Sequence, residues 1–144
     1  MAIRTATAEW QGDLRNGKGS FGSASGAIEG AYTFESRFED GAGTNPEELI
    51  AASHASCFSM ALSLILTESG NAPESVRTEA KVQILKDGEG FTVTRIDLAT
   101  AGRVAGVDDA GFQQAAQIAK ENCPISKALG AVPEMNLDAK LESS

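Results

Sequence analysis

From Leu49 to Leu66 the chain reads LIAASHASCFSMALSLIL, with no Asp, Glu, Lys or Arg. This run constrains the fold more than any other stretch, because a helix apolar or small on all sides needs cover on all sides. Its length approaches what a bilayer-spanning helix needs. Ser53, His54, Ser56, Ser59 and Ser63 dilute it, and Glu47, Glu48 and Glu68 close in at its ends, so it reads as a buried helix of a globular protein. GTNPEELI at 43–50 writes the helix start: Asn45 is the N-cap, Pro46 takes the first helical position, and Glu48 falls three after the cap. Gly70-Asn71-Ala72-Pro73 stops the helix near Ser69.

The rest of the chain supplies limited cover. At 144 residues the length suits one domain over 1–144, with a β-hairpin region at about 1–40 and a helix-and-sheet body at about 44–144. Strand-like pieces fall at Ala6–Gln11, Gly19–Ser23 and Ala31–Phe38, with Asn16-Gly17 as a hairpin turn. Residues 76–86 and 91–99 alternate as two antiparallel strands around Asp87-Gly88. Asp108 or Asp109 caps a second helix with Phe112, Ala115, Ala116 and Ala119 on its inner face. Cys123-Pro124 then opens a short helix to about Leu129, and Val132–Leu141 reads as a last strand. The pattern predicts an α+β unit. One further helix and a few strands cover the long run poorly, so its Ala- and Ser-rich surface predicts a second subunit packed against it.

A formal charge of −8, from 12 basic and 20 acidic residues, repels phosphate backbones and anionic lipid. No nucleic-acid or membrane partner is expected. MAIRTATAEWQ at the start lacks the apolar core of a signal peptide, which makes the cytoplasm the expected location. In such a reducing compartment the two cysteines, Cys57 and Cys123, point to transient or redox chemistry rather than a static disulfide.

Several motifs compete for attention. GKGSFG at 17–22 matches a dinucleotide fingerprint, but it lies among hairpin strands and not in a strand–turn–helix unit. His54, three residues before Cys57, raises a Cys–His hydrolase; a histidine packed and hydrogen-bonded at a helix interface accounts for it better. Cys57, Cys123 and His54 lack the short-spaced pair of a zinc site. The remaining constellation is Arg37, Glu48, Cys57 and Cys123. A thiol attacks as thiolate, and a cation or a helix N-terminus favours that form. Cys123 has the helix N-terminus; Cys57, mid-helix, needs a cation, and Arg37 is at hand. Glu48 precedes Cys57 by roughly two and a half helical turns, or ~13 Å, on the opposite face. If Glu48 orients an arginine at a thiolate, that thiolate belongs to another protomer. The simpler role for Glu48 is to cap its own helix.

GTNPEELIAASHASCFSMAL at 43–62, ENCPISKAL at 121–129 and the arginine of FESRF at 34–38 together resemble the OsmC/Ohr family of thiol peroxidases, and the OsmC branch in particular. The resemblance runs nearly end to end. It implies an OsmC-like α+β fold, with two central helices wrapped by antiparallel sheets in an intertwined homodimer whose active sites lie at the interface. It implies organic hydroperoxides as substrates, hydrogen peroxide less readily, in oxidative or osmotic stress. Cys57 would be the peroxidatic cysteine, Cys123 the resolving one, Arg37 the activator of the thiolate and Glu48 the residue that orients Arg37. Electrons would come from a dithiol or a lipoylated protein, with no bound cofactor or metal. The alternatives are a non-catalytic redox-sensing dimer and the Cys–His hydrolase. Local physics alone favours Cys123 as nucleophile; the family pattern favours Cys57.

Overall fold

The computed structural model describes residues 1–142. The chain divides into two compact units, Met1–Leu49 and Ile50–Ser144.

The first unit is a three-stranded antiparallel sheet in the order β1 (Ala6–Gln11), β2 (Lys18–Ser23), β3 (Glu29–Tyr32). No two-residue turn at Asn16-Gly17 joins β1 to β2, since Gln11 pairs with Lys18 across a longer loop. A tight hairpin of that type needs Asn16 at positive φ, and no described non-glycine residue adopts one. Asp13 organises the loop instead: its carboxylate accepts the Asn16 N–H at 2.8 Å, and its carbonyl accepts Trp10 Nε1 at 3.2 Å. Gly19, inside the GKGSFG motif, serves aromatic packing. A Cβ there would lie 2.6 Å from the Tyr32 ring and 2.7 Å from Trp10, whose rings pack tilted against each other with centroids 5.5 Å apart.

Residues 34–38, expected to be strand, form a short helix, α1 (Phe34–Phe38). A capping box reverses the expectation: Ser36 N–H donates to Thr33 Oγ1 at 3.1 Å, and Thr33 N–H donates to Ser36 Oγ at 2.8 Å. Arg37 therefore sits on a helix.

The long helix α2 spans Pro46–Glu68. Asn45 Oδ1 accepts the Glu48 N–H at 2.8 Å as the expected N-cap. At the other end Gly70 takes φ +89°, with Gly70 N–H bonded to Thr67 O and Asn71 N–H to Leu66 O, a Schellman stop. His54, Phe58, Leu62 and Leu66 form a fully buried stripe at i, i+4 spacing. The opposite side is open: Met60 is 76% and Leu64 58% exposed. The helix is long and apolar enough to cross a membrane, and 22% of its most apolar window is buried.

The second unit carries β4 (Ser75–Asp87), β5 (Gly90–Arg103) and β6 (Glu134–Glu142), in that order. Ile96, Leu98 and Thr100 alternate inward along β5. β4 and β5 are antiparallel, whereas β5 and β6 are parallel. This departs from the all-antiparallel expectation because two helices, α3 (Asp109–Asn122) and α4 (Pro124–Ala128), intervene and carry the chain back to the same end. Asp108 caps α3 by accepting the Gly111 N–H at 2.8 Å. Phe112, Ala115, Ala116 and Ala119 are buried as expected. Gly102 admits Phe112 to β5, since a Cβ there would meet the ring at 2.6 Å. Ser59 of α2 donates to Thr78 Oγ1 at 2.8 Å, which ties α2 to β4.

Candidate active site

Cys57 lies half-buried in the middle of α2, and Cys123 is completely buried at the junction of α3 and α4. Both thiols are free, and Cys57 packs against the buried cluster that includes Cys123. Burial pushes the Cys57 thiol up, and the neighbouring Cys123 sulfur adds to the rise. Burial acts on Cys123 in the same direction, but the neighbouring Cys57 thiol and the polar groups of Ser126 and Ile125 outweigh it. Cys123 is thus held below the ordinary thiol range. A groove of about 800 Å³ opens beside this pair, with Cys57, Met60, Leu64, Ile118 and Ile125 in its wall. Cys57 faces that space; Cys123 does not line it. The groove is apolar, and suits a greasy molecule more than a charged one.

Arg37 has a carboxylate partner, and it is Glu47. Arg37 Nε donates to Glu47 Oε1 at 2.9 Å and Nη2 to Oε2 at 3.3 Å, a two-point fork. Glu47 is 7% exposed. The expectation that Glu48 orients Arg37 is corrected here. Glu48 is exposed and occupied with its own helix start, accepting Thr44 Oγ1 at 3.2 Å while its N–H goes to Asn45. A capping residue at that position points back toward the cap and away from its neighbour's partner.

His54 does not pair with Cys57. Its Nε2 meets Ser126 Oγ at 2.7 Å, and its Nδ1 is buried without a partner. Burial holds the imidazole below its ordinary range, which keeps it neutral near pH 7. Among the described residues no three His, Cys, Asp or Glu side chains gather as metal ligands.

The family profile described as OsmC-like protein matches residues 39–138. The chain belongs to the OsmC family. Peroxiredoxin OsmC of Escherichia coli is 47% identical over 137 residues, which covers 94% of each chain. Organic hydroperoxide resistance protein OhrB of Bacillus subtilis is 35% identical over 102 residues, 69% of each. The crystal structure of that OhrB superimposes with a TM-score of 0.68 at 26% identity, over 96% of this chain and 98% of that one. The fold, two sheets with α-helices in an α+β arrangement, is that of the OsmC/Ohr proteins.

Glu47 and Ser126 are the residues that sequence reasoning missed. A signal for Glu47 existed: with Glu48 committed to the cap, its neighbour is the acid left over for Arg37. Nothing local marks Ser126, because its partner His54 lies on a distant helix.

Proposed function

We propose that this chain is a thiol-dependent peroxidase that reduces organic hydroperoxides, and hydrogen peroxide less readily, in oxidative or osmotic stress defence. The single observation that carries the reading is that two free thiols share one buried cluster and only one of them opens to an apolar groove. A hydroperoxide in the groove reaches Cys57. The Cys57 thiolate attacks the outer peroxide oxygen, the O–O bond breaks, and the alkoxide takes a proton to leave as alcohol. Cys57 is left as sulfenic acid. Cys123 thiolate then attacks the Cys57 sulfur, expelling hydroxide that becomes water, and a disulfide forms. A small dithiol or a lipoylated protein restores both thiols by exchange.

The rise in the Cys57 thiol's pKa means that it needs a cation, and Arg37 is the residue of this chain suited to the role. A fixed guanidinium also stabilises charge on the departing oxygen. Nearly three turns of α2, roughly 15 Å, lie between Glu47 and Cys57. The Arg37–Glu47 pair of one protomer therefore serves the thiol of its partner in a homodimer with active sites at the interface. The open side of α2, with Met60 and Leu64 exposed, is the surface such a dimer covers. The reading places the protein in the cytoplasm, where reducing dithiols are plentiful.

The depressed Cys123 thiol supports a second reading in which Cys123 attacks the peroxide. Access argues against it, since Cys123 is 0% exposed. Turnover of an organic hydroperoxide with excess dithiol tests the proposal in wild type, Cys57→Ser and Cys123→Ser. Loss of activity in both variants is expected. Full turnover in Cys57→Ser sinks it, stoichiometric reaction without turnover in wild type marks a redox sensor, no reaction with hydroperoxide in wild type favours the hydrolase, and an unaffected Cys123→Ser removes the disulfide step.

A further inference from the structure

Arg37 is held from two directions, and Glu47 accounts for one of them. The other is aromatic. On α1, Phe34 and Phe38 stand four residues apart, where helical side chains meet, and their rings pack tilted with centroids 5.1 Å apart. The Arg37 guanidinium lies over the Phe38 ring, its Cζ 5.0 Å from the centroid. Arg15, from the loop between β1 and β2, lies over the Phe34 ring at 4.8 Å. The order is therefore Arg15, Phe34, Phe38, Arg37, with a cation at each end of one aromatic pair, all inside the unit Met1–Leu49.

Helix geometry does not supply the contact at Arg37 by itself. Adjacent residues on a helix point about 100° apart, so the arginine side chain folds across to reach its neighbour's ring. What it gains is a restraint that the carboxylate lacks. Glu47 takes the Nε and Nη2 donors along a single edge, at 2.9 and 3.3 Å, and leaves the guanidinium free to hinge about that edge. A ring against the flat face stops the hinge, and guanidinium faces are weakly hydrated and stack well. Arg37 needs the restraint because it is the open half of the pair. Its side chain is 36% exposed against 9% for Glu47, and an ion pair open to solvent is weak on its own. The other N–H groups of Arg37 have no partner among the described residues, and the residue lines a cleft of about 200 Å³ together with both rings. Fixed at edge and face, those N–H groups are presented in one direction.

We propose that Phe38 is a positioning residue for Arg37: its ring fixes the plane of the guanidinium while Glu47 fixes the edge, with Phe34 and Arg15 stacked on the far side. The claim about orientation stands on this geometry alone. The claim that the fixed plane serves the Cys57 thiolate and the departing oxygen rests on the peroxidase reading. A donor set in advance spends nothing on reorganisation when charge develops. A cation–π contact at a partly exposed arginine shifts the balance between held and released guanidinium by about two- to fivefold, and that factor is what the ring contributes.

The test keeps the shape of the ring and removes its attraction for a cation. Phe38 is replaced by 4-fluoro-, 3,5-difluoro- and 3,4,5-trifluorophenylalanine, which empty the π face stepwise, and Phe38→Leu and Phe38→Trp bracket the series. Hydrogen exchange of the Arg37 Nε–H, followed by NMR, reports release of the fork without any substrate. It should quicken stepwise with fluorination, reach about two- to fivefold in the trifluoro protein and in Phe38→Leu, and stay at or below the wild-type rate in Phe38→Trp. In parallel kcat/KM for cumene hydroperoxide should fall by the same factor near pH 7 and recover as rising pH forms the thiolate without help. Exchange that ignores fluorination overturns the proposal and reduces the ring to packing. Graded exchange with an unchanged kcat/KM in an active peroxidase overturns its catalytic half. Graded exchange in a wild-type protein that reduces no hydroperoxide refutes the peroxidase reading and leaves the orientation of Arg37 by Phe38 standing.

Discussion

The thiol pair of the C-terminal unit and the ion pair of the N-terminal unit are built on opposite plans. Cys57 and Cys123 sit among Phe58, Ile125 and the small residues of α2, where burial opposes charge and pushes Cys57 away from its reactive form. Arg37 and Glu47 hold opposite charges in a two-point fork, with Arg37 stacked over the Phe38 ring at 5.0 Å. One region holds two thiols among apolar residues; the other has a cation already oriented by a carboxylate. A buried thiol that stays neutral is protected from indiscriminate oxidation, and a fork fixed in advance costs no reorganisation when it meets a developing charge. The difference teaches that, on the proposed reading, the thiol and the cation it needs are held in separate places.

The sharpest way to break that comparison is to remove the cation. Arg37→Ala should lower kcat/KM for an organic hydroperoxide by on the order of 10²–10³. Its pH profile carries the sign. Burial places the Cys57 thiol above its ordinary range, so without Arg37 the thiolate fraction, and with it the rate, should climb about tenfold per pH unit through neutral and mildly alkaline pH. Wild type should be nearly flat there, and a variant as flat as wild type would show that Arg37 does not govern the thiol. Next in size is the open face of α2. Leu64→Lys, at a position 58% exposed in the single chain, should weaken self-association by on the order of a hundredfold in sedimentation measurements, and activity should fall with the dimer. The two glutamates then sharpen the assignment. Glu47→Gln should reduce kcat/KM by about tenfold, since it frees Arg37 from a charge-assisted fork. Glu48→Gln should stay within about twofold of wild type and cost only ~0.5 kcal/mol of stability from the weakened cap.

Much of this was legible in the sequence, and where it was not the reasons are physical. α2 could be read from both ends, because Asn45, Pro46 and the Gly70 stop are local signals that act on their own backbone. The inner face of α3 was equally plain from Phe112, Ala115, Ala116 and Ala119. Phe34–Phe38 misled, because its alternation of aromatic and polar residues suits a strand, while the capping box from Thr33 and Ser36 decides for helix. The parallel pairing of β6 with β5 is a property of the path through α3 and α4, which no strand pattern encodes. At the candidate site both cysteines and Arg37 could be named from residue chemistry and family resemblance. The choice of Glu47 over Glu48 turned on which face of one helical turn is buried, and the meeting of His54 with Ser126 on long-range packing.

The most direct test of the central claim is to ask which sulfur meets the peroxide. Each single-cysteine protein, Cys123→Ser and Cys57→Ser, is given one equivalent of cumene hydroperoxide with a dimedone trap, and the adduct is located by peptide mass spectrometry. The account predicts a sulfenic-acid adduct on Cys57 in Cys123→Ser, with stoichiometric release of alcohol, and little oxidation of Cys123 in Cys57→Ser. A prompt adduct on Cys123, with Cys57 left unmodified, would contradict it.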